Sequence, residues 1–340
     1  MTSVDTPFSA AQVPAFMRAL RQDTPRGPRD LRLVTDTRVP VPGDGEVLIR
    51  VTAAGVNYAD VMQTYGTYGG GPTPPYIAGF EAVGEVVASG GPAAGLRIGD
   101  RVLGLGPGAF AEYMVLPSAG TLRVPAGWAD EQALGLVLNW ATALAALRPL
   151  GRLTAGETVW VQAAAGGVGQ AAVRLAKHYG ARVIGSAAPR KHQVVRDLGA
   201  DLVVDSGRPD LAAEIGRLTG GEGADLILES TGGAAFRAAL AAARRVTGRV
   251  VVYGVAGGEA TVSNRELNFD HPIHVIGLHL GILVRHAPRL FDQLVDELHA
   301  LIAAGVIPPG RPTVRDLAEG PRTLAALEAR TTVGKTALRP

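Results

Sequence analysis

A run of small residues, Ala163-Ala-Ala-Gly-Gly-Val-Gly169, stands between an apolar segment, Thr158–Gln162, and a helix-forming one, Gln170–Gly180. A second apolar segment, Ala181–Gly185, follows. Strand, glycine turn, helix and strand within about thirty residues is the βαβ unit that cradles a dinucleotide pyrophosphate. Small side chains let the backbone approach the phosphates. The helix start turns free N–H groups and its positive dipole end toward the anion. Ala165, Gly166, Gly167, Val168 and Gly169 are the expected pyrophosphate turn.

The second strand discriminates between cofactors. NAD sites place Asp or Glu at its end, where a carboxylate accepts the ribose 2′-hydroxyl. Here the strand ends Gly185-Ser-Ala-Ala-Pro-Arg-Lys191, without a carboxylate. Ser186, Arg190 and Lys191 suit charge-assisted contacts to a 2′-phosphate, so the reading favours NADPH.

Around this unit the chain alternates apolar strands with helices. Strands are expected at Thr158–Gln162, Arg182–Gly185, Leu202–Val204, Leu226–Glu229, Arg249–Tyr253 and His274–Leu278. That pattern implies an α/β fold, a doubly wound parallel Rossmann sheet. Before about Asp130 the texture is one of short strands and glycine–proline turns, typical of a compact β-rich barrel. A helical stretch runs from Asp130 through Leu147, a long amphipathic helix from Ala287 to Ala304, and a barrel-like tail over Val333–Leu338. The Rossmann domain, 136–283, is thus inserted into a barrel domain formed by 17–135 and 284–340. Residues 1–16 lack periodicity and are expected to be a flexible extension, with Met17 a possible natural start.

Composition narrows the classes. The chain has 340 residues, of which 47% are hydrophobic and 19% charged, and a formal net charge of +2. These values describe a globular protein with no electrostatic footprint for nucleic acid or a membrane surface. No apolar run is expected to reach a membrane span. The N-terminus lacks a basic segment followed by an apolar core, so a cytoplasmic location is the default expectation. There is no cysteine. That removes disulfides, Cys-ligated zinc, iron–sulfur clusters and a thiol nucleophile. His271, His274 and His279 span a proline and a strand and form no converging ligand set, so no metal is expected.

Further motifs carry a resemblance. Gly55-Val-Asn-Tyr-Ala-Asp60, Gly66-Thr-Tyr68, Gly79-Phe-Glu-Ala-Val-Gly-Glu-Val86, Gly99-Asp-Arg-Val102, Ala109-Phe-Ala-Glu-Tyr113, Leu198-Gly-Ala-Asp201, Gly248–Gly254 and Thr332-Val-Gly-Lys335 occur in order with the glycine turn. Over roughly residues 17–340 the chain resembles the medium-chain dehydrogenase/reductase superfamily, and within it the zinc-free quinone oxidoreductases. The resemblance implies a GroES-like barrel carrying the catalytic groups and a nicotinamide lying between the two domains. Zinc members have Gly-His-Glu where this chain has Gly79-Phe80-Glu81, and Phe cannot ligate a metal. Glu81 is expected to be a structural partner in the barrel.

By the same resemblance Asn57 lies beside the nicotinamide and the substrate carbonyl, with its amide as donor, and Asp60 holds its loop. Thr142 touches the cofactor. Ser206 lies at the adenosine. Thr231 and Tyr253, Gly254 and Val255 fall at the ends of the fourth and fifth strands, where open α/β sheets bind ligands. Arg330, Gly334 and Lys335 match the C-terminal segment that closes over the cofactor. The implied activity is NADPH-dependent hydride transfer to a quinone. An enone or enoyl-thioester reductase is the alternative, in which Tyr58 or Tyr68, with Tyr65 nearby, supplies a proton. A non-catalytic NADPH-binding protein is the third reading. A homodimer is expected through the edge segment His274–Leu280.

Overall fold

The computed structural model describes residues 13–340. The expected extension lies, for residues 1–12, outside the described residues. The chain runs β1 (Phe16–Gln22), β2 (Leu31–Arg38), β3 (Glu46–Val56), α1 (Tyr58–Thr64), β4 (Tyr76–Ile77), β5 (Glu81–Ser89), β6 (Arg101–Leu105), β7 (Tyr113–Pro117), β8 (Leu122–Arg123), α2 (Asp130–Ala133) and α3 (Ala141–Ala145). It continues through β9 (Thr158–Val161), α4 (Gly167–His178), β10 (Arg182–Ala187), α5 (His192–Asp197), β11 (Leu202–Asp205), α6 (Leu211–Leu218), β12 (Leu226–Glu229), α7 (Gly233–Ala242), β13 (Arg249–Val252), β14 (His274–Gly277), α8 (Leu280–His286) and α9 (Pro288–Ala303). It ends in β15 (Thr313–Asp316), α10 (Gly320–Glu328) and β16 (Thr336–Arg339).

Two compact units result. One comprises the residues through Leu134 together with Pro309–Pro340; the other is Gly135–Pro308. In the first, β15-β16-β3-β5-β6-β8 form one sheet to which β7 adds by pairing with β3, and β2-β1-β4 form a small second sheet. Strand β3 alternates apolar and polar side chains over part of its length, and Val47, Ile49 and Val51 enter the core with Phe110, Met114 and Leu338. The last strand, β16, lies between β15 and β3, with Thr336 opposite Val56.

The second unit holds a six-stranded parallel sheet in the order β11-β10-β9-β12-β13-β14. Counted along the chain this is 3-2-1-4-5-6, the order of dinucleotide-binding folds, with its reversal between β9 and β12. Val159, Trp160 and Val161 of β9 and Leu226, Ile227 and Leu228 of β12 are all fully buried. Strands covered on both faces read as unbroken apolar runs for this reason.

Two expectations change. Residues 284–308 belong with the second unit rather than with the barrel. Helix α9 directs Phe291, Leu294, Leu298 and Leu301 inward and packs on α3, so its apolar stripe is used by the Rossmann side. The helical run Asp130–Leu150 is 21 residues long and apolar enough to cross a membrane, contrary to the expectation that no run reaches that length. Some 72% of its most apolar window is buried inside the protein, as in a core helix.

A buried polar cluster and a glycine turn

In the first unit, α1 follows directly on β3, and Asn57 is the residue between them. Asp60 Oδ2 accepts the Asn57 backbone N–H at 2.7 Å, which satisfies a donor of the first helical turn. Asn57 is 8% exposed and Asp60 1%. Burial pushes the Asp60 carboxyl up to about 8, against the opposing pull of the Asn57 N–H and of Lys335.

Asn57, Glu81 and Lys335 form one cluster. Asn57 Nδ2 donates to Glu81 Oε2 at 2.9 Å and to the Gly55 carbonyl at 3.2 Å. Lys335 Nζ donates to Asn57 Oδ1 at 2.7 Å and pairs with Glu81 Oε2. Glu81 is fully buried and the Lys335 side chain is 12% exposed. A Cβ at residue 55 would collide with the Glu81 carboxylate and with Lys335 Cε, which is why the strand carries glycine there. Glu81 is therefore the structural partner expected of it. Both N–H groups of the Asn57 amide are already used, so the amide is not the spare donor that its position in the motif implied. An ammonium has three N–H groups, and two of those on Lys335 are directed into the cluster.

The aromatic residues around α1 divide. Tyr65 Oη donates to Glu328 Oε1 at 2.7 Å. Tyr58 and Tyr68 are half-buried, and burial holds both phenols above their usual range, hence protonated. Tyr76 went unnoticed in the sequence, where it sits in an irregular proline segment. Its hydroxyl is buried with no hydrogen-bond partner among the described residues, and burial pushes its ionisation up to about 12.

In the second unit, Ala163 takes a left-handed φ of 46° and ends β9 in a tight turn. The Gly166 N–H donates to the Ala163 carbonyl at 2.8 Å, and Gln170 Nε2 braces the Ala165 carbonyl at 3.0 Å. Helix α4 then begins behind Gly166 with no side chain capping it. A Cβ at residue 169 would meet Ala164 Cα at 2.7 Å, so glycine there lets α4 lie against β9. Thr142 lies in α3 and is 7% exposed.

Beyond β10, Arg190 and Lys191 form a short 3₁₀ turn, the first exposed and the second half-buried. Ser186 behaves differently. It is 1% exposed, and its hydroxyl accepts the Trp160 indole N–H at 3.0 Å. It lies buried on the sheet face that it shares with Trp160, a correction to its place in an anion pocket. Ser206 is exposed after β11. Thr231 follows β12, and Tyr253, Gly254 and Val255 follow β13, at the carboxyl ends of neighbouring strands. Glu229 Oε1 accepts the N–H groups of Thr231 and Gly232 at 2.7 and 2.6 Å and shapes that loop. In the first unit, Arg330 has a left-handed φ of 57° and Gly334 one of 65°, just before Lys335.

Two family models match the chain: an alcohol dehydrogenase GroES-like domain over residues 43–126 and a zinc-binding dehydrogenase over 167–299. A quinone oxidoreductase-like protein 2 homolog of Nematostella vectensis is 34% identical over 258 residues, 75% of this chain and 70% of that protein. A mycocerosic acid synthase-like polyketide synthase of Mycobacterium tuberculosis is 34% identical over 317 residues, 93% of this chain, and the chain spans 15% of its length. Among solved structures, Escherichia coli quinone oxidoreductase complexed with NADPH superposes with a TM-score of 0.87 at 28% identity, covering 96% of this chain and all of that one. The CurK enoyl reductase superposes at 0.86 and 26%, covering 96% and 99%.

The residues do not fit the zinc of the second model's description. Phe80 offers no donor atom, and Glu81 is committed to Lys335 and Asn57. Among the described residues no group of three or more His, Cys, Asp or Glu side chains converges.

Proposed function

Since the chain belongs to the zinc-free, quinone oxidoreductase-like branch of the medium-chain dehydrogenase/reductases, we propose that it is an NADPH-dependent reductase delivering hydride to a quinone. The observation that carries the reading is the uncapped start of α4 behind a turn of small residues, at the strand-order reversal of a 3-2-1-4-5-6 sheet. That cradle fits a pyrophosphate. Arg190 and Lys191 fit a 2′-phosphate, and the strand before them ends without a carboxylate.

Bound NADPH supplies the hydride. The protein holds and polarises the acceptor. Lys335 keeps one N–H outside its bonds to Asn57 and Glu81 and suits an oxygen that gains negative charge as hydride arrives. Asn57 and Glu81 hold that ammonium in place and compensate its charge. A quinone that gains hydride becomes hydroquinone by taking one proton, which water can provide.

The second reading is reduction of an enone or enoyl thioester, in which the α-carbon must also receive a proton. It is favoured by the protonated, half-buried phenols of Tyr58 and Tyr68 on and beside α1 and by the likeness to an enoyl reductase. A third, non-catalytic NADPH binder, shares the cradle and differs only in lacking turnover. We further propose a homodimer through β14, the edge strand of the six-stranded sheet.

The deciding experiment is NADPH oxidation by chelator-treated protein with a para-quinone and a linear enone side by side. Quinone turnover that ignores the chelator supports the first reading. Enone turnover alone selects the second. Binding of NADPH with neither acceptor reduced leaves the third.

A further inference from the structure

The first unit contains a cavity of about 560 Å³ walled by Met17, Ile77, Phe80 and Met114 and including Tyr76 and Arg38. Its volume lies within the range of small-molecule sites, and its walls are apolar with few polar groups, as in such sites. Tyr76 lines the cavity, but its hydroxyl is sealed from it. One charged group in its lining has no ion-pair partner among the described residues. Arg38, at the end of β2, lies over the Phe16 ring with its guanidinium carbon 5.4 Å from the ring centre. It is exposed and is in no ion pair among the described residues.

We propose that this cavity binds an apolar molecule carrying a single anionic group, a carboxylate or phosphate. Arg38 holds the anion. Arg38 is the only Lys or Arg in the cavity lining, which suits one anion rather than a polyphosphate. The guanidinium is planar, already stacked on an aromatic ring, and presents paired N–H groups that match a carboxylate or phosphate edge. Calling the occupant the electron acceptor rests on the reductase reading. Binding itself does not.

The test is calorimetric titration of the whole protein, without cofactor, with 9-oxodecanoate and 2-decanone. These saturated ketones have equal chain length and differ by a terminal carboxylate, and neither offers a conjugated double bond. The keto acid is expected to bind about three- to fivefold more tightly at low salt, the scale of an exposed charge pair, and to lose that margin at high salt. Arg38→Met should equalise the two ligands, and Arg38→Lys should restore part of the margin. Equal affinities in the wild type, or a margin that survives Arg38→Met, overturn the anion site. Arg38-dependent binding without any NADPH turnover would defeat the reductase reading alone, and quinone turnover without an anion margin would defeat this inference alone.

Discussion

Lys335 Nζ donates to Asn57 Oδ1 at 2.7 Å, across 278 positions of sequence. This contact settles which way the Asn57 amide points. An ammonium only donates and a carboxylate only accepts, so the amide oxygen must face Lys335 and the nitrogen Glu81. The cluster is thus a charged pair with a neutral bridge, and each member depends on the others.

Breaking the pair should be costly. Glu81→Gln or Lys335→Met alone leaves a buried charge uncompensated and should destabilise the protein by about 3–5 kcal/mol, while the double variant should recover much of that loss. Denaturant unfolding of the four proteins measures the cycle. Simple additivity of the two losses would show that the pair is not coupled.

Asp60 gives stability a pH dependence. Its folded carboxyl ionises at about 8, well above the ordinary value of 3.8. A raised folded value means that the native state holds the proton more tightly than the unfolded chain does. The contribution is complete below about pH 4 and is lost as pH rises through about 8. Asp60→Asn should therefore match the wild type at about pH 4 and below, and gain on it as pH rises, by on the order of a few kcal/mol at pH 8. Melting temperatures across that range check the sign.

Arg190→Ala and Lys191→Ala should each weaken NADPH binding by about 1.5–3 kcal/mol, the scale of a hydrogen bond to a charged group, and leave NADH binding nearly unchanged. Fluorescence titration with both nucleotides reads the difference. Parallel losses for the two cofactors would move the 2′-phosphate contact elsewhere.

Gly169→Ala should lift α4 from β9. The added carbon meets Ala164 Cα at 2.7 Å, too close for any side chain. A loss of about 1–3 kcal/mol in stability is expected, together with weaker NADPH binding. Calorimetry and titration on one preparation separate the two effects.

The homodimer reading centres on β14, whose Val275 is 37% exposed at the sheet edge. Val275→Lys should blunt that edge and shift the protein toward monomer at micromolar concentration, as followed by light scattering. A wild type that is already monomeric would remove the premise.

Much of the second unit was legible in the chain. Fully buried parallel strands write themselves as apolar runs such as Thr158–Val161 and Leu226–Glu229, and small residues crowd where a helix must approach a strand. Ser186 was misplaced because motif position says nothing of which face of β10 a side chain occupies; its pairing with Trp160 is a fact of packing. The cluster of Asn57, Glu81 and Lys335 could not be assembled from periodicity, because its members come from three distant segments joined only by the pairing of β3 with β5 and β16. Tyr76 and Arg38 carry no motif. Their interest arises from missing partners, which only coordinates reveal. The boundary at 284 failed for a related reason: the amphipathic stripe of α9 announces burial but not against which unit.

The place of β16 has a consequence for how the protein is made. Residues 135–308 form a contiguous segment that can condense as soon as it leaves the ribosome. The first unit cannot. Its main sheet keeps a gap beside β3, and Glu81 has no counter-charge, until Lys335 and the strand after it have been synthesised. The earlier-born half of the molecule is thus the later to mature, and it waits with an unpaired strand edge for its last few residues.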